Sequence, residues 1–224
     1  MDDSQKTAPA PRLALWTCVV VMVAIVVVAA IAAAPRPTPR FHGTTYTEVL
    51  PAGDFALTDH EGRPVSLRSY RGAPVLLFFG YTNCPDVCPL TLDKLTRALR
   101  TAGRRTEDVR ILLVTLDPAR DTPAALKAYA ARFGPAVTGL TGDSASLAKA
   151  AEGYGAYITR APAQPAVHAH GAHAAPPAAV AAAIKTVHPG AVYGIDRNGN
   201  LQVVISDGAT LEQVVDDVRT LARL

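Results

Sequence analysis

Apolar positions along the chain follow three different patterns, and each predicts a different kind of element. The first is a block: Leu13 to Ala34 contains no charged residue. About 20 consecutive apolar residues suffice for a helix to cross a bilayer, so 13–34 is read as a transmembrane helix. The second pattern is the short apolar or alternating run of a strand. Phe55-Ala56-Leu57-Thr58 and Pro64-Val65-Ser66-Leu67 flank the turn Asp59-His60-Glu61-Gly62 and predict a hairpin. Val75-Leu76-Leu77-Phe78-Phe79 and Ile111 to Leu116 are continuous apolar runs, the signature of strands buried on both faces. A second hairpin is predicted from Ala191–Ile195 and Leu201–Ile205 around Asp196-Arg197-Asn198-Gly199. The third pattern is helical. Leucines at 90, 92, 95 and 99 predict a helix from Pro89 to about Arg100. Thr122 as cap and Pro123 at the first position open another, running to about Phe133. Helices are also expected over 143–153 and over about 210–222.

Strands alternating with helices, then a hairpin and a last helix, imply an α/β fold: a mixed sheet with helices on its faces. The first strand–helix–strand unit is expected to be parallel and right-handed. Prolines at 35, 37 and 39 without apolar period mark a linker over 35–53, so the folded domain is read as 54–224. Within it, residues 161–183 are mostly Ala, Pro, His and Gly, with His168, His170 and His173 close together. No element boundary requires a loop that long. It reads as a surface insertion, either a weak metal-collecting tract or low-complexity drift.

Composition narrows the setting. Length 224 suits one domain plus extras. A net charge of +3, from 22 Lys+Arg against 19 Asp+Glu, leaves no electrostatic footprint for nucleic acid. The single tryptophan, Trp16, lies at the start of the apolar block, where an interfacial anchor belongs. A cleaved signal would place the cut after Ala32-Ala33-Ala34, directly before Pro35, and the block exceeds the roughly 7–15 residues of a signal's apolar core. The expectation is therefore an uncleaved single-pass anchor, with 1–12 a cytoplasmic tail and the domain on the extracytoplasmic side of a bacterial cytoplasmic membrane.

The candidate chemistry lies in Phe79-Gly80-Tyr81-Thr82-Asn83-Cys84-Pro85-Asp86-Val87-Cys88-Pro89, between a predicted strand and a predicted helix. Open α/β sheets place their sites at the carboxyl ends of strands. The amino terminus of a helix lowers a thiol's pKa. Cysteines at i and i+4 on a first turn face the same way, about 6 Å apart, near enough for a disulfide or for one soft metal ion. Cys18 lies in the apolar block, so the domain has no third cysteine and a Cys-rich zinc site is excluded. A third ligand would be a histidine: His42, His60, His168, His170, His173 or His188. His188 directly precedes the strand from Ala191, which should neighbour the central strands. A purely structural disulfide gains little from so short a loop. Asp117, Arg120 and Asp121 either shape the site, dock a partner or form a helix-start network.

These residues resemble the Sco/SenC family of copper-binding, thioredoxin-like proteins. The resemblance rests on Phe79 to Thr82 with Cys84 to Pro89, on Leu116-Asp117-Pro118-Ala119-Arg120-Asp121-Thr122-Pro123, on Gly139-Leu140-Thr141-Gly142, and on His188 with Val192-Tyr193 and Asp196 to Gly199. It runs from about Asp54 to the C-terminus. It implies a thioredoxin-like fold and one copper, as Cu(I), Cu(II) or both, held by Cys84, Cys88 and His188. The implied function is a membrane-anchored copper chaperone that metallates the CuA site of cytochrome c oxidase subunit II or another copper enzyme, its copper donor unknown. The alternative is an extracytoplasmic thiol-disulfide oxidoreductase that keeps target cysteines reduced, with Cys84 and Cys88 as the redox pair.

Overall fold

The computed structural model describes residues 12–33, 39–46, 48, 50–156 and 190–224. The chain divides into two units, Met1–Pro39 and Arg40–Leu224. In the first, helix α1 spans Arg12–Ala33 and carries no charged residue after Arg12. Its described side chains, Trp16 to Ala30 with Cys18 apart, are exposed. Among the described residues no helix is long and apolar enough to cross a membrane.

The second unit is built on one sheet of eight strands: β1 (Leu50–Pro51), β2 (Leu57–Asp59), β3 (Pro64–Val65), β4 (Val75–Gly80), β5 (Arg110–Thr115), β6 (Val137–Thr141), β7 (Val192–Ile195) and β8 (Asn200–Ile205). Their spatial order is β1-β8-β7-β4-β5-β6-β2-β3. The three central strands are parallel, with Leu77 opposite Leu112 and Leu112 opposite Thr138. β7 joins β4 antiparallel, Phe78 facing Val192. Four helices cover the faces: α2 (Val87–Ala102), α3 (Pro123–Ala131), α4 (Ser144–Gly153) and α5 (Leu211–Leu221). Because side chains alternate along a strand, Leu76 and Phe78 face α2, α3 and α5 on one side. Val75, Leu77 and Phe79 face α4 and the tyrosines Tyr154 and Tyr193 on the other. Every residue of both core clusters comes from this unit.

The two hairpins, the buried strands and the helices match the expected elements and give the expected mixed sheet. Strand β6 lay in a stretch read only as a motif. Its pattern, Val137-Thr138-Gly139-Leu140-Thr141, is short and broken by a glycine, and pairing with β5 and β2 supplies what its sequence lacks. Part of the stretch read as linker also pairs with the sheet. Thr44 exchanges two backbone hydrogen bonds with Val204 (2.9 and 2.8 Å), and Leu50 pairs with Leu201. The buried carboxylate of Asp217 on α5 accepts the N–H groups of His42 (2.6 Å) and Gly43 (3.1 Å). The insertion at 161–183 lies outside the described residues.

Asp217→Ala removes an ionised acceptor and leaves two N–H groups without a partner. Hydrogen bonds to charged groups contribute about 1.5–3 kcal/mol. The variant is expected to lose about 2 kcal/mol in urea unfolding and to expose the amides of residues 42–43 to faster hydrogen exchange.

A candidate dithiol site at the head of helix α2

The site begins where β4 ends. Gly80 is the last residue of that strand, and a Cβ on it would lie 2.7 Å from Phe78 Cε1 and 2.8 Å from Cys88 Sγ. Only glycine lets the first turn of α2 close onto the strand end. The chain turns through Tyr81, Thr82 and Asn83, and the Cys84 N–H donates to the Tyr81 carbonyl (3.3 Å). Asp86 occupies the N-cap of α2, yet its side chain makes no capping bond. The N–H groups of Cys88 and Asp86 and the Tyr81 hydroxyl lie by the Cys84 sulfur and favour its ionised form.

Both cysteines are free thiols close enough to shift each other's ionisation, but their environments differ. Cys84 is half-buried, and Cys88 is 4% exposed. Burial pushes the Cys84 thiol up, and the hydrogen bonds from the helix head outweigh it, bringing the pKa below the ordinary value. Cys88 has few such donors. Burial pushes its thiol up to about 12, with further raising from the hydrogen bond to Cys84 and from the charges of Cys84 and Asp121. Tyr81 is raised as well, chiefly by the Cys84 charge. The pair is therefore one thiol that ionises more readily than usual beside one that holds its proton.

A profile of the SCO1/SenC family matches residues 44–223. The chain belongs to the SCO1/SenC family. Bovine mitochondrial SCO2 homolog is 42% identical over 112 residues, which are 49% of this chain and 42% of that protein. The chain thus matches less than half the length of that relative. Among solved structures, Bradyrhizobium japonicum ScoI with copper bound superposes with a TM-score of 0.60 at 33% identity, over 76% of this chain and 98% of that one. Apo Sco1 from Thermus thermophilus gives 0.63 at 30%, over 83% and 99%. The thioredoxin-like mixed sheet of this SCO1/SenC protein is shared with those structures.

The second sequence block of the family meets the dithiol loop through Asp121. That carboxylate is fully buried. It accepts from the Thr82 N–H (3.0 Å), the Thr82 hydroxyl (2.5 Å) and the Thr115 hydroxyl (2.5 Å). Thr115 in turn accepts the Asp117 N–H (2.9 Å), and Asp117 pairs with Arg120 (2.7 Å). The helix start is capped separately, by Thr122 accepting from Ala125 N–H (3.2 Å). Asp121 thus shapes the loop two residues before Cys84. Of the readings the sequence offered for Asp121, shaping the site is the one these contacts fit. No local pattern reports a partner 39 positions away.

His188 lies outside the described residues, as do His168, His170 and His173. What is described is the chain two positions later. Gly190, at φ +118°, is buried, and a Cβ on it would lie 3.2 Å from Asp207 Cβ and 3.3 Å from Val87 Cγ1. Lys94 clamps the loop on its other side, donating to the carbonyls of Asp207 and Ala209 (2.8 Å each). The strand that follows His188 therefore starts against the residue preceding Cys88, as expected of a β4 neighbour. His42 and His60 are placed elsewhere: His42 is 3.6 Å from Asp216 on α5, and His60 accepts the Gly139 N–H on β6 (3.1 Å). Among the described residues no group of three His, Cys, Asp or Glu could hold a metal ion.

In the reduced protein, iodoacetamide is expected to modify Cys84 with a midpoint below about 8.5, the ordinary thiol value, while Cys88 stays unmodified to pH 9. Mass spectrometry of digests reads both. The linkage signs are opposite. Cys88, raised, contributes stability in full below about pH 8.5 and loses it as pH climbs toward 12. Cys84, lowered, contributes above its unfolded value and loses it as pH falls. Asp121→Ala is expected to cost about 3 kcal/mol and to change the Cys84 alkylation profile. Thr122→Ala should cost about 1 kcal/mol and leave that profile unchanged.

Proposed function

We propose that this protein is a membrane-anchored copper chaperone that takes up one copper ion through Cys84, Cys88 and His188 and delivers it to the CuA site of cytochrome c oxidase or to another copper enzyme. The observation that carries the reading is the pair of free thiols set side by side at the head of α2. Two sulfurs on one side suit a soft cuprous ion. Gly190 against Val87 supports His188 as the third ligand, because two residues span at most about 7 Å. ScoI from B. japonicum, a family member, holds copper. Cys84 loses its proton more readily than an ordinary thiol, whereas Cys88 holds its proton and must give it up to bind, so uptake releases acid. Copper is cargo in this scheme, entering and leaving through the half-exposed Cys84 side.

The uncharged stretch 13–34 would tether the domain to the extracytoplasmic face of a bacterial cytoplasmic membrane. In that compartment the pair must be kept reduced by a partner.

A thiol-disulfide oxidoreductase is the second reading, and the asymmetry of the two thiols favours it. Cys84 thiolate would attack a target disulfide, releasing one target thiolate. Cys88, on losing its proton, would attack the mixed disulfide, releasing the second and leaving a Cys84–Cys88 disulfide. His188 has no part in that exchange.

Copper titration of the reduced protein separates the readings. The chaperone reading expects one tightly held copper per chain and, for Cu(II), a thiolate charge-transfer band. Both should disappear in Cys84→Ala, Cys88→Ala and His188→Ala. Copper binding that survives in His188→Ala, or is confined to the His168–His173 tract, would sink the three-ligand site. Disulfide-reductase activity needing both cysteines, and intact in His188→Ala, would then carry the second reading.

A further inference from the structure

We propose that the edge of the domain opposite the dithiol is a docking surface for an anionic phospholipid bilayer, an inference whose setting rests on the tethered reading above. Strands β4, β5 and β6 run in parallel and end at the dithiol edge. At their other ends, α2 and α3 terminate. Arg100 sits on the last turn of α2, Arg104 and Arg105 in the 3-10 turn that follows, and Arg132 at the end of α3. All four are exposed. Arg100 and Arg104 line a groove of about 530 Å3 together with Leu99, Phe133 and Pro135. The Arg132 guanidinium stacks over Tyr129 and Phe133, 5.3 and 5.7 Å from the ring centroids, and Phe133 lines that groove.

Neighbouring acids do not neutralise this cluster. Glu107 lines the same groove and approaches Arg104 at 3.9 Å, one negative charge against four guanidinium groups. Asp108 is engaged by Arg197. Arg100, Arg105 and Arg132 have no acidic partner among the described residues. At the dithiol edge the balance reverses. Asp86, Asp143 and Asp207 are exposed there. Asp117 absorbs Arg120, and Lys94 is committed to two carbonyls. A net charge of only +3 conceals a domain that is basic at one edge and acidic at the other.

A charged bilayer would attract the first edge and repel the second, and so orient the domain. The chemistry of the groove selects phospholipid. Guanidinium forks donate bidentately to a phosphodiester, and the apolar floor of Leu99, Phe133 and Pro135 suits the glycerol and upper acyl region beneath it. β4 has six residues, and at about 3.3 Å each they hold the dithiol roughly 20 Å above the lipid phosphates. The docked domain thus presents its thiols outward, toward a partner protein.

The domain 40–224 carries its own core, and the ScoI chain, covered over 98% of its length, folds as such a unit. Reduced 40–224 is titrated with vesicles of phosphatidylcholine alone or with about a third phosphatidylglycerol. Each guanidinium at an anionic surface is worth roughly fivefold. Wild type is expected to partition at least about 30-fold more strongly to the anionic vesicles, an excess abolished by 0.5 M salt. Replacing Arg100, Arg104, Arg105 and Arg132 with Gln should remove the excess. Replacing Arg63, Arg120, Lys127 and Lys149 with Gln, an equal charge loss elsewhere, should lower it less than about threefold; thermal melts confirm that both variants are folded. No preference for anionic vesicles, or equal loss in the two variants, overturns the proposal. So does binding to polyglutamate in place of vesicles, which would assign the surface to an acidic protein. None of these outcomes depends on copper binding, nor on whether 13–34 spans a membrane.

Discussion

The contact between the first turn of α2 and the end of β4 is the constraint on which the rest of this structure depends. A side chain at position 80 would hold the helix away from the sheet, and glycine removes it. Once the turn closes, Cys88 is buried between strand and helix, and the N–H groups at the helix head point at Cys84. A helix start has orphan donors that something must accept. Here the Asp86 side chain makes no capping bond, and the donors are left beside the Cys84 sulfur. Leaving those donors beside a thiol makes that thiol more acidic, and the same closure makes its neighbour the reverse.

Two further devices hold the arrangement in place, and both act at long range. Asp121 ties the loop before Cys84 to the end of β5 through two hydroxyls and one backbone N–H. A fully buried carboxylate is costly unless its oxygens are satisfied, so the three bonds both stabilise Asp121 and fix the loop. On the other flank, Gly190 fits between Asp207 and Val87 while Lys94 fastens the Asp207 loop. The dithiol therefore stands between two clamped segments, one from the β5 end and one from the β7 start. The sheet beneath is covered on both faces, which gives the site a rigid base.

The charge distribution adds a direction to this frame. Parallel central strands separate the carboxyl edge, with its thiols and aspartates, from the amino edge, with its arginines. Helix ends follow the same polarity, since each crossover helix runs back from the carboxyl edge to the amino edge. Arginines beyond the ends of α2 and α3 suit the carbonyl-rich end of a helix and collect at one edge because the topology brings those ends together.

The sequence by itself determined the class of fold and the pair of thiols at its candidate site. Continuous apolar runs at 75–79 and 111–116, leucines at helical spacing after Cys84, and the paired thiols between them require no tertiary information, because strand burial and helix periodicity are written into neighbouring residues. The family blocks around Cys84 and Asp117 were legible for the same reason. Tertiary structure alone decided what those residues do to one another. That Asp121 serves the cysteine loop, that β6 is a strand, and that Thr44 and the backbone at His42 and Gly43 belong to the folded unit all depend on contacts between distant positions, which no local pattern encodes. The opposite pKa shifts of Cys84 and Cys88 belong to that group too. The two residues share one motif and one helix turn. They differ because packing against Gly80 buries one sulfur and leaves the other facing the helix's free N–H groups.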